Sequence, residues 1–563
     1  MARFWRSPPE KIRTWQRLLL AAGSGLLTAL ALPPLSLWPL AWVSLIPLWW
    51  LGLAAATMPW WQATTWGLVW GLAYYGVSLV WITHLHPLMW LGISWANSLA
   101  IALGAWAFIT GWGSVCTALW SLGLWWLVRH WPHHRALRLL GGAALWCGLE
   151  ALRNASPLDW SPLSLTQSPG NLWVLHLARL SGPAVITALL VAVNGVGAEI
   201  LYQRCQATAP QTSQNTYPAF PFTDPPGPQR VGPSYQPGKW LGGRPQTLVA
   251  VGLGLVLIGS ATGCGLYYQA NPDLPDQALH LGLIQGNIPT RQKLTLAGVS
   301  QALEVYSQGY KTLAQAGVDA VLTPEGALPV IWQDQSPTTR LFTTTVAQTG
   351  TPLWLGTFAP LAVDRAGQYT QSLLELRPDG HIHGRYNKVQ LVPLGEYIPL
   401  APLLGKLINR LSPLDSFLVP GQPHQTFKTA TGIAAVGICY ESAYSRLFRD
   451  QIKAGAEFIV TSSNNDPYPL AMMTQHHALD VLRAVESDRW ALRVTNTGLS
   501  ALVDSHGHTR WQGLPHHPIL YKASLYRHHS QTTYVAWGDW LTPLLLGITT
   551  MWASVLKIFV KSP

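Results

Sequence analysis

The chain has 563 residues, 49% of them apolar and only 11% charged, with 30 Trp and a formal net charge of +11. A soluble domain carries about a quarter charged residues, yet from Leu18 through Val128 there is no Asp, Glu, Lys or Arg, a run of 111 residues that no soluble domain could cover with a wet surface. The apolar content, the lack of any repeat period and only five Cys exclude a disordered chain, a collagen-like one and a disulfide scaffold.

A membrane-crossing helix needs ~20 mostly apolar residues, because lipid offers its backbone no other hydrogen-bond partners. On that rule eight spans are predicted, near Leu18–Leu32, Leu37–Ala55, Thr64–Leu85, Ser98–Val128, Ala136–Leu152, Pro183–Tyr202, Leu248–Tyr267 and Trp540–Phe559. Pro33 and Pro34 separate the first two as a tight hairpin, and the fourth is long enough to tilt or leave the bilayer. With further spans directly behind it, the basic start reads as an uncleaved anchor and not as a signal peptide. Arg3, Arg6, Lys11, Arg13 and Arg17 in the N-terminal tail, Arg129, Arg135 and Arg138 after the fourth span, and Arg204, Arg230, Lys239 and Arg244 after the sixth fall on alternate connections. Basic flanks stay cytoplasmic, so these connections, and the tail with Lys557 and Lys561, are expected inside and the region between spans seven and eight outside. The +11 charge is thereby explained by topology, and no Lys/Arg stripe points to nucleic acid.

The expected organisation is a membrane domain over 1–274, an α/β domain over 275–533 and a last span with its tail over 534–563. The stretch 205–246 holds nine Pro and no apolar periodicity; it reads as a disordered cytoplasmic loop without assigned function. Glu150 and Arg153, three apart in the fifth span, are expected to pair on one face, either as packing or at a lipid-facing entrance. The many Trp read as interfacial anchors and bundle filling.

The exported region opens with a strand at Leu279–Ile284, a helix around Ser300–Ala316 and a strand at Ala320–Thr323. Leu353–Phe358 is a further strand, and Ser372–Arg377 with His381–Tyr386 form a hairpin about an Asp-Gly turn. A strand at Ile433–Ile438, a helix from Ala443 to Ala454 and a strand at Phe458–Thr461 repeat the first unit, followed by strands at Arg489–Thr495 and Leu499–Val503. This is a mixed sheet or two packed sheets with helices outside.

Sites in such folds form just after strand ends, and three ends carry chemistry: Thr323-Pro324-Glu325, Tyr386-Asn387-Lys388 and Cys439-Tyr440-Glu441. Cys439 is the only Cys of this domain, so it is either buried and inert or kept for its reactivity. A strand end entering a helix favours the second reading, because the helix N-terminus stabilises thiolate. A Cys nucleophile with a carboxylate base and a lysine would form a covalent acyl intermediate, Glu325 taking the thiol proton and Lys388 with backbone N–H groups holding the oxyanion.

The order Glu325, Lys388, Cys439 resembles the nitrilase superfamily, whose Glu-Lys-Cys triad sits on an αββα sandwich. The fuller match is to the apolipoprotein N-acyltransferase family, carried by Gln285-Gly286-Asn287-Ile288-Pro289, by Tyr386-Asn387-Lys388 leading to Leu391-Val392-Pro393-Leu394-Gly395-Glu396-Tyr397-Ile398-Pro399, and by Cys439-Tyr440-Glu441. The resemblance implies a two-step transfer in a bacterial inner membrane: Cys439 takes an acyl chain from a phospholipid, and the N-terminal amine of a diacylglyceryl-cysteine lipoprotein receives it. It implies Glu325 as base, Lys388 as stabiliser and Glu396, Tyr440 and Glu441 as accessory residues, Glu396 orienting Lys388 and Tyr440 N–H joining an oxyanion hole. No cofactor or metal is implied, and a monomer is expected. The chain departs from the family at Leu294, where an aromatic is common, and at Asn465-Asp466-Pro467-Tyr468, where Tyr468 would stand in for a Trp; both positions are candidate substrate contacts.

Other readings stay open. Glu396, Glu441 and Asp466 could be fold-supporting carboxylates; His476-His477 and His516-His517 lack zinc-site spacing and read as surface or helix histidines. A membrane-anchored amidase shares the triad but has no use for eight spans, and a scaffold or transporter with an inactive domain is opposed by the intact triad. Leu400–Leu418 is a candidate lid.

Overall fold

The computed structural model describes residues 12–207, 245–333, 336–360, 368–393, 395–397, 418–466 and 468–561. Most of the Pro-rich 205–246 stretch and of the candidate lid at 400–418, and the N-terminal basic residues Arg3, Arg6 and Lys11, lie outside them.

The first half is helical: α1 (Thr14–Leu30), α2 (Ile46–Ala54), α3 (Trp60–Ser78), α4 (Trp95–His130), α5 (Arg135–Asn154), α6 (Pro183–Ala207) and α7 (Pro245–Tyr268). Helix α4 runs unbroken for 36 residues, about 54 Å at 1.5 Å per residue, well beyond a ~30 Å hydrocarbon core. Small residues set the packing: Gly67 and Gly71 let α3 lie so close to α4 that a Cβ at either would collide with Ser121, Thr117 or Ser114. Trp49, Trp70, Trp120 and Trp146 interlock edge to face, with ring centroids 5.1 to 5.5 Å apart. Among the described residues five helical stretches are long and apolar enough to cross a membrane: Trp38–Thr57, Trp95–His130, Pro183–Gln206, Gln246–Tyr268 and Leu541–Ile558. The other three expected spans, α1, α3 and α5, are helical but fall short of that measure.

One expectation in this half fails. Glu150 and Arg153 do not pair. Arg153 Nη2 donates to Asp159 Oδ1 at 2.8 Å and its Nη1 to the Tyr75 hydroxyl. Glu150 accepts from the Leu163 N–H at 2.7 Å and from the Thr187 hydroxyl at 2.8 Å. The loop after α5 supplies one partner to each, Asp159 to Arg153 and the Leu163 N–H to Glu150.

The second half is an αββα sandwich. Its strands are β1 (Ala278–Gln285), β2 (Ala320–Leu322), β3 (Leu353–Pro360), β4 (Tyr369–Leu376), β5 (Ile382–Asn387), β6 (Phe427–Thr429), β7 (Gly432–Ile438), β8 (Phe458–Ser463), β9 (Ala491–Thr495), β10 (Ala501–Val503), β11 (Thr509–Gln512) and β12 (Ile519–Tyr526). They form two six-stranded sheets, ordered β12-β1-β2-β3-β4-β5 and β11-β10-β9-β8-β7-β6. Within each, the central strands β1-β2-β3 and β7-β8-β9 are parallel. Leu281, Leu322, Trp354 and Leu373 of one sheet meet Val436, Phe458, Val460 and Leu492 of the other in a shared core. Helices α8 (Leu296–Gln315) and α9 (Pro337–Thr349) cover the outer face of the first sheet. Helices α10 (Ser445–Lys453) and α11 (Leu470–Ser487) cover the second, and α12 (Leu541–Lys561) ends the chain.

Helix α11 lies between the second sheet and the membrane helices, so from Gln475 to Ser487 every residue is buried. Gln475 ties the halves together: its Oε1 accepts from Trp160 Nε1 at 2.8 Å, and its Nε2 donates to the carbonyls of Pro33 and Ser78 at 3.2 Å. Nearby, the Tyr440 hydroxyl donates to the carbonyls of Pro157 and Asp159 at 2.9 and 3.1 Å, and its ring stacks on Trp160.

Candidate active site

Strand ends from both sheets converge on one cavity of about 630 Å³. The turn after β2 delivers Glu325, the exit of β5 delivers Lys388, the end of β7 delivers Cys439, and the end of β8 delivers Asn464 and Asp466. All five line the cavity, as do Glu396, Leu294 and Tyr468. The Glu325 turn can sit there because β3 has Gly356 beside it; a Cβ would strike the Pro324 carbonyl.

Lys388 is fully buried and shared by two carboxylates: its Nζ donates to Glu325 Oε1 at 2.8 Å and to Glu396 Oε1 at 2.6 Å. Burial alone would lower its pKa, but the two carboxylates prevail and hold it well above the ordinary lysine range. The free oxygens are also engaged. Glu325 Oε2 accepts from the Asn464 N–H at 3.0 Å, and Glu396 Oε2 from the Val392 N–H at 2.9 Å. Burial raises the Glu396 pKa, with Lys388 opposing. Glu325 and Glu396 thus hold the Lys388 ammonium between them.

Cys439 adopts φ +53°, a left-handed backbone that a non-glycine residue rarely takes. The residue is 7% exposed, and its Sγ–H donates to the Asn464 carbonyl at 3.8 Å. Here the expectation of a dipole-activated thiolate fails. A 3₁₀ turn, Cys439–Ala443, follows β7, and α10 begins only at Ser445. Burial, reinforced by the Glu325 carboxylate, pushes the thiol pKa up, with Lys388 opposing. The resting sulfur is a neutral thiol that needs a base.

The neighbours of Cys439 face away from the cavity. Glu441, fully buried, accepts from the N–H groups of Ile438, Val389 and Gln390 at 2.7, 2.6 and 2.9 Å and from the Tyr386 hydroxyl at 3.1 Å. It ties the end of β7 to the segment behind Lys388. The side chain of Tyr440 likewise leaves the cavity for the membrane half. Tyr468 lines the cavity and packs edge to face on Trp81 at 5.2 Å. Asp466 Oδ2 accepts from the Thr290 N–H at 2.9 Å.

The membrane half closes one wall of the cavity with His84, Leu85, Pro87, Leu88, Trp90 and Leu91. Sequence comparison matches both halves of the chain. Residues 280–513 match the carbon-nitrogen hydrolase family model, and residues 24–196 match the apolipoprotein N-acyltransferase N-terminal domain. A curated apolipoprotein N-acyltransferase of Nostoc sp. is 42% identical over 95% of this chain and 98% of its own length. Those of Thermosynechococcus vestitus and Synechocystis sp. are 43% and 39% identical over 98% and 93% of this chain, and 99% and 97% of their own lengths. The chain belongs to the apolipoprotein N-acyltransferase family.

In this family member several site residues escaped the sequence reading. His476, expected as a surface or helix histidine, is fully buried: its Nε2 contacts the Cys439 carbonyl at 2.8 Å and its Nδ1 the Asn465 amide at 3.1 Å. Burial, with Arg493 adding to it, lowers its pKa well below the usual value, so the ring is neutral. His477 is also buried, against Thr509; His516 and His517 are exposed on a turn. Among the described residues no cluster of His, Cys, Asp and Glu could hold a metal ion. Lys293 and Gln371 line the cavity too. Lys293 stands four residues beyond Pro289, close enough to the family motif to have been flagged, whereas nothing in the sequence marks Gln371 inside β4.

Proposed function

We propose that this apolipoprotein N-acyltransferase family member moves an acyl chain from a membrane phospholipid, through a Cys439 thioester, to the N-terminal amine of a diacylglyceryl-cysteine lipoprotein. The observation that carries the reading is that Glu325, Lys388 and Cys439 line one cavity whose wall is built partly by the membrane half. A water-soluble hydrolase has no need of such a wall.

In the first half-reaction Glu325 takes the Cys439 proton and the sulfur attacks the ester carbonyl. Lys388 Nζ and the Tyr440 N–H hold the oxyanion. On collapse, the glycerol oxygen leaves with the proton from Glu325, releasing a lysophospholipid. In the second half the amine attacks the thioester carbonyl, Glu325 takes the amine proton, and that proton returns to the departing sulfur. Glu396 keeps Lys388 in place throughout, and Leu294 and Tyr468 contact the acyl chain.

The reading includes eight spans, with α1, α3 and α5 crossing alongside the five apolar stretches, and both termini in the cytoplasm. The domains divide at 1–274, 275–533 and 534–563, the second on the periplasmic side of a bacterial inner membrane, and the protein acts as a monomer. The charge-free run and the alternating basic flanks support this arrangement.

Intact mass of purified protein incubated with phospholipid tests the chemistry. The expected result is a hydroxylamine-sensitive acyl adduct, absent in Cys439→Ala, which a diacylglyceryl-cysteine peptide removes as an amide. An adduct lost equally fast without peptide makes the protein a hydrolase. No adduct on folded protein makes the domain a scaffold.

A further inference from the structure

Two buried donors in the cavity have no partner among the described residues. Lys293 Nζ and Gln371 Nε2 belong to residues each 3% exposed, and neither makes a hydrogen bond. They converge: the Cβ position of Gly326 lies 3.8 Å from Lys293 Nζ and 3.6 Å from Gln371 Nε2. The donors come from different elements, Lys293 from the turn after β1 and Gln371 from β4, so no single local motif places them together.

The nearby carboxylates, Glu325 and Asp466, attract the ammonium but hydrogen-bond to neither donor. Glu325 is engaged by Lys388 and the Asn464 N–H, and Asp466 Oδ2 by the Thr290 N–H. Buried donors left unpaired are costly, an ammonium most of all, so the missing acceptor belongs to the substrate. The point of convergence adjoins the reacting groups: Gly326 directly follows Glu325, and the Lys388 N–H donates to the Gln371 carbonyl at 2.8 Å. Of the two substrates in the proposed reaction, only the phospholipid carries an anion joined to the scissile ester by a short glycerol link. A phosphodiester oxygen accepts well from an ammonium and from an amide N–H together. Burial also lowers the Lys293 pKa to about 8, against the opposing pull of Glu325 and Asp466.

We propose that Lys293 and Gln371 form a phosphodiester subsite that seats the glycerophospholipid donor during thioester formation and stands idle while the acyl chain passes to the amine. This rests on the acyl-transfer reading above.

The test follows Cys439 adduct formation by intact mass in the full-length protein, with dipalmitoyl phosphatidylglycerol or dipalmitoylglycerol as donor. Lys293→Met and Gln371→Leu should each cut the phospholipid-to-diacylglycerol rate ratio about 10- to 100-fold, through the half-saturating concentration. Lys293→Arg should restore most of the ratio. The ratio of phospholipid acylation to peptide-dependent deacylation should fall by the same factor. An unchanged donor ratio, or equal losses with both donors, overturns the subsite. Thermal stabilisation of wild type but not Lys293→Met by inorganic phosphate, with the donor ratio unchanged, makes this a free-phosphate site and overturns the lipid assignment. Absence of any adduct in wild type is a different outcome, which rejects the acyl-transfer reading itself.

Discussion

His476 Nε2–H donates to the backbone carbonyl of Cys439 across 2.8 Å, from a helix otherwise committed to the membrane interface. The neutral ring accepts at Nδ1 from Asn465 and donates at Nε2, so both nitrogens are matched to their partners. Its effect is to hold a residue at φ +53° from behind. Such backbone strain of ~1–3 kcal/mol persists only where surrounding contacts enforce it.

Substituting His476→Leu should therefore slow adduct formation on Cys439 about 10- to 100-fold, the equivalent of ~1–3 kcal/mol for a buried carbonyl left unpaired. His476→Gln, which keeps a donor, should recover part of the rate. Single-turnover mass measurements give both numbers.

Lys388 stands between Glu325 and Glu396, with no other cation bonded to either carboxylate among the described residues. Lys388→Met leaves two largely buried carboxylates facing each other, a loss of ~3–5 kcal/mol. Adding Glu396→Gln should return more than half of that stability while leaving the protein inactive. Detergent-solubilised thermal unfolding of the two variants measures the coupling, and a double variant no more stable than the single one refutes it.

The raised thiol pKa has a direct signature. Free cysteine titrates at about 8.5, whereas burial and Glu325 hold Cys439 higher. Thiolate forms only as pH approaches the raised value, so iodoacetamide should label Cys439 more slowly than free cysteine at pH 7.5, with no plateau by pH 9.5. Peptide mass mapping against pH checks this, and a plateau near neutrality would contradict it.

Lys293 sets a second pH dependence. Its pKa is pushed down to about 8 by burial, with Glu325 and Asp466 facing it and Lys388 and Glu396 in the same cavity. The ammonium is present below that value and lost above it. The preference for phospholipid over diacylglycerol should accordingly hold at pH 7 and decline between about pH 7.5 and 9, with Lys293→Arg shifting the decline upward.

Glu325, Lys388 and Cys439 could be picked out from the chain alone because each lies within three residues of a strand end, that of β2, β5 or β7. The strands β6, β11 and β12 were harder to see. β12 alternates exposed and buried residues at a sheet edge and pairs with β1 from the far end of the domain. Helix α11 was missed for the opposite reason: buried on two sides, it mixes His, Gln, Asp and Arg among apolar residues, each answered by a partner distant in sequence. Glu150 and Arg153 had the spacing of a helical pair, but Asp159 in the following loop competed successfully for the arginine. Lys293 and Gln371 are 78 positions apart, and their convergence exists only once β1 and β4 are brought into the same sheet.

The apolar contacts of α11 run without a break from Ile459 and Ala491 of the second sheet, through Leu479 and Leu482, to Trp160 and Leu175 in the connection between α5 and α6. Cutting the chain at residue 275 would strand a greasy flank and remove the partners of Gln475, Tyr440 and Tyr444 in one stroke. The catalytic sandwich and the helical half therefore share one continuous apolar core, and neither closes its surface without the other.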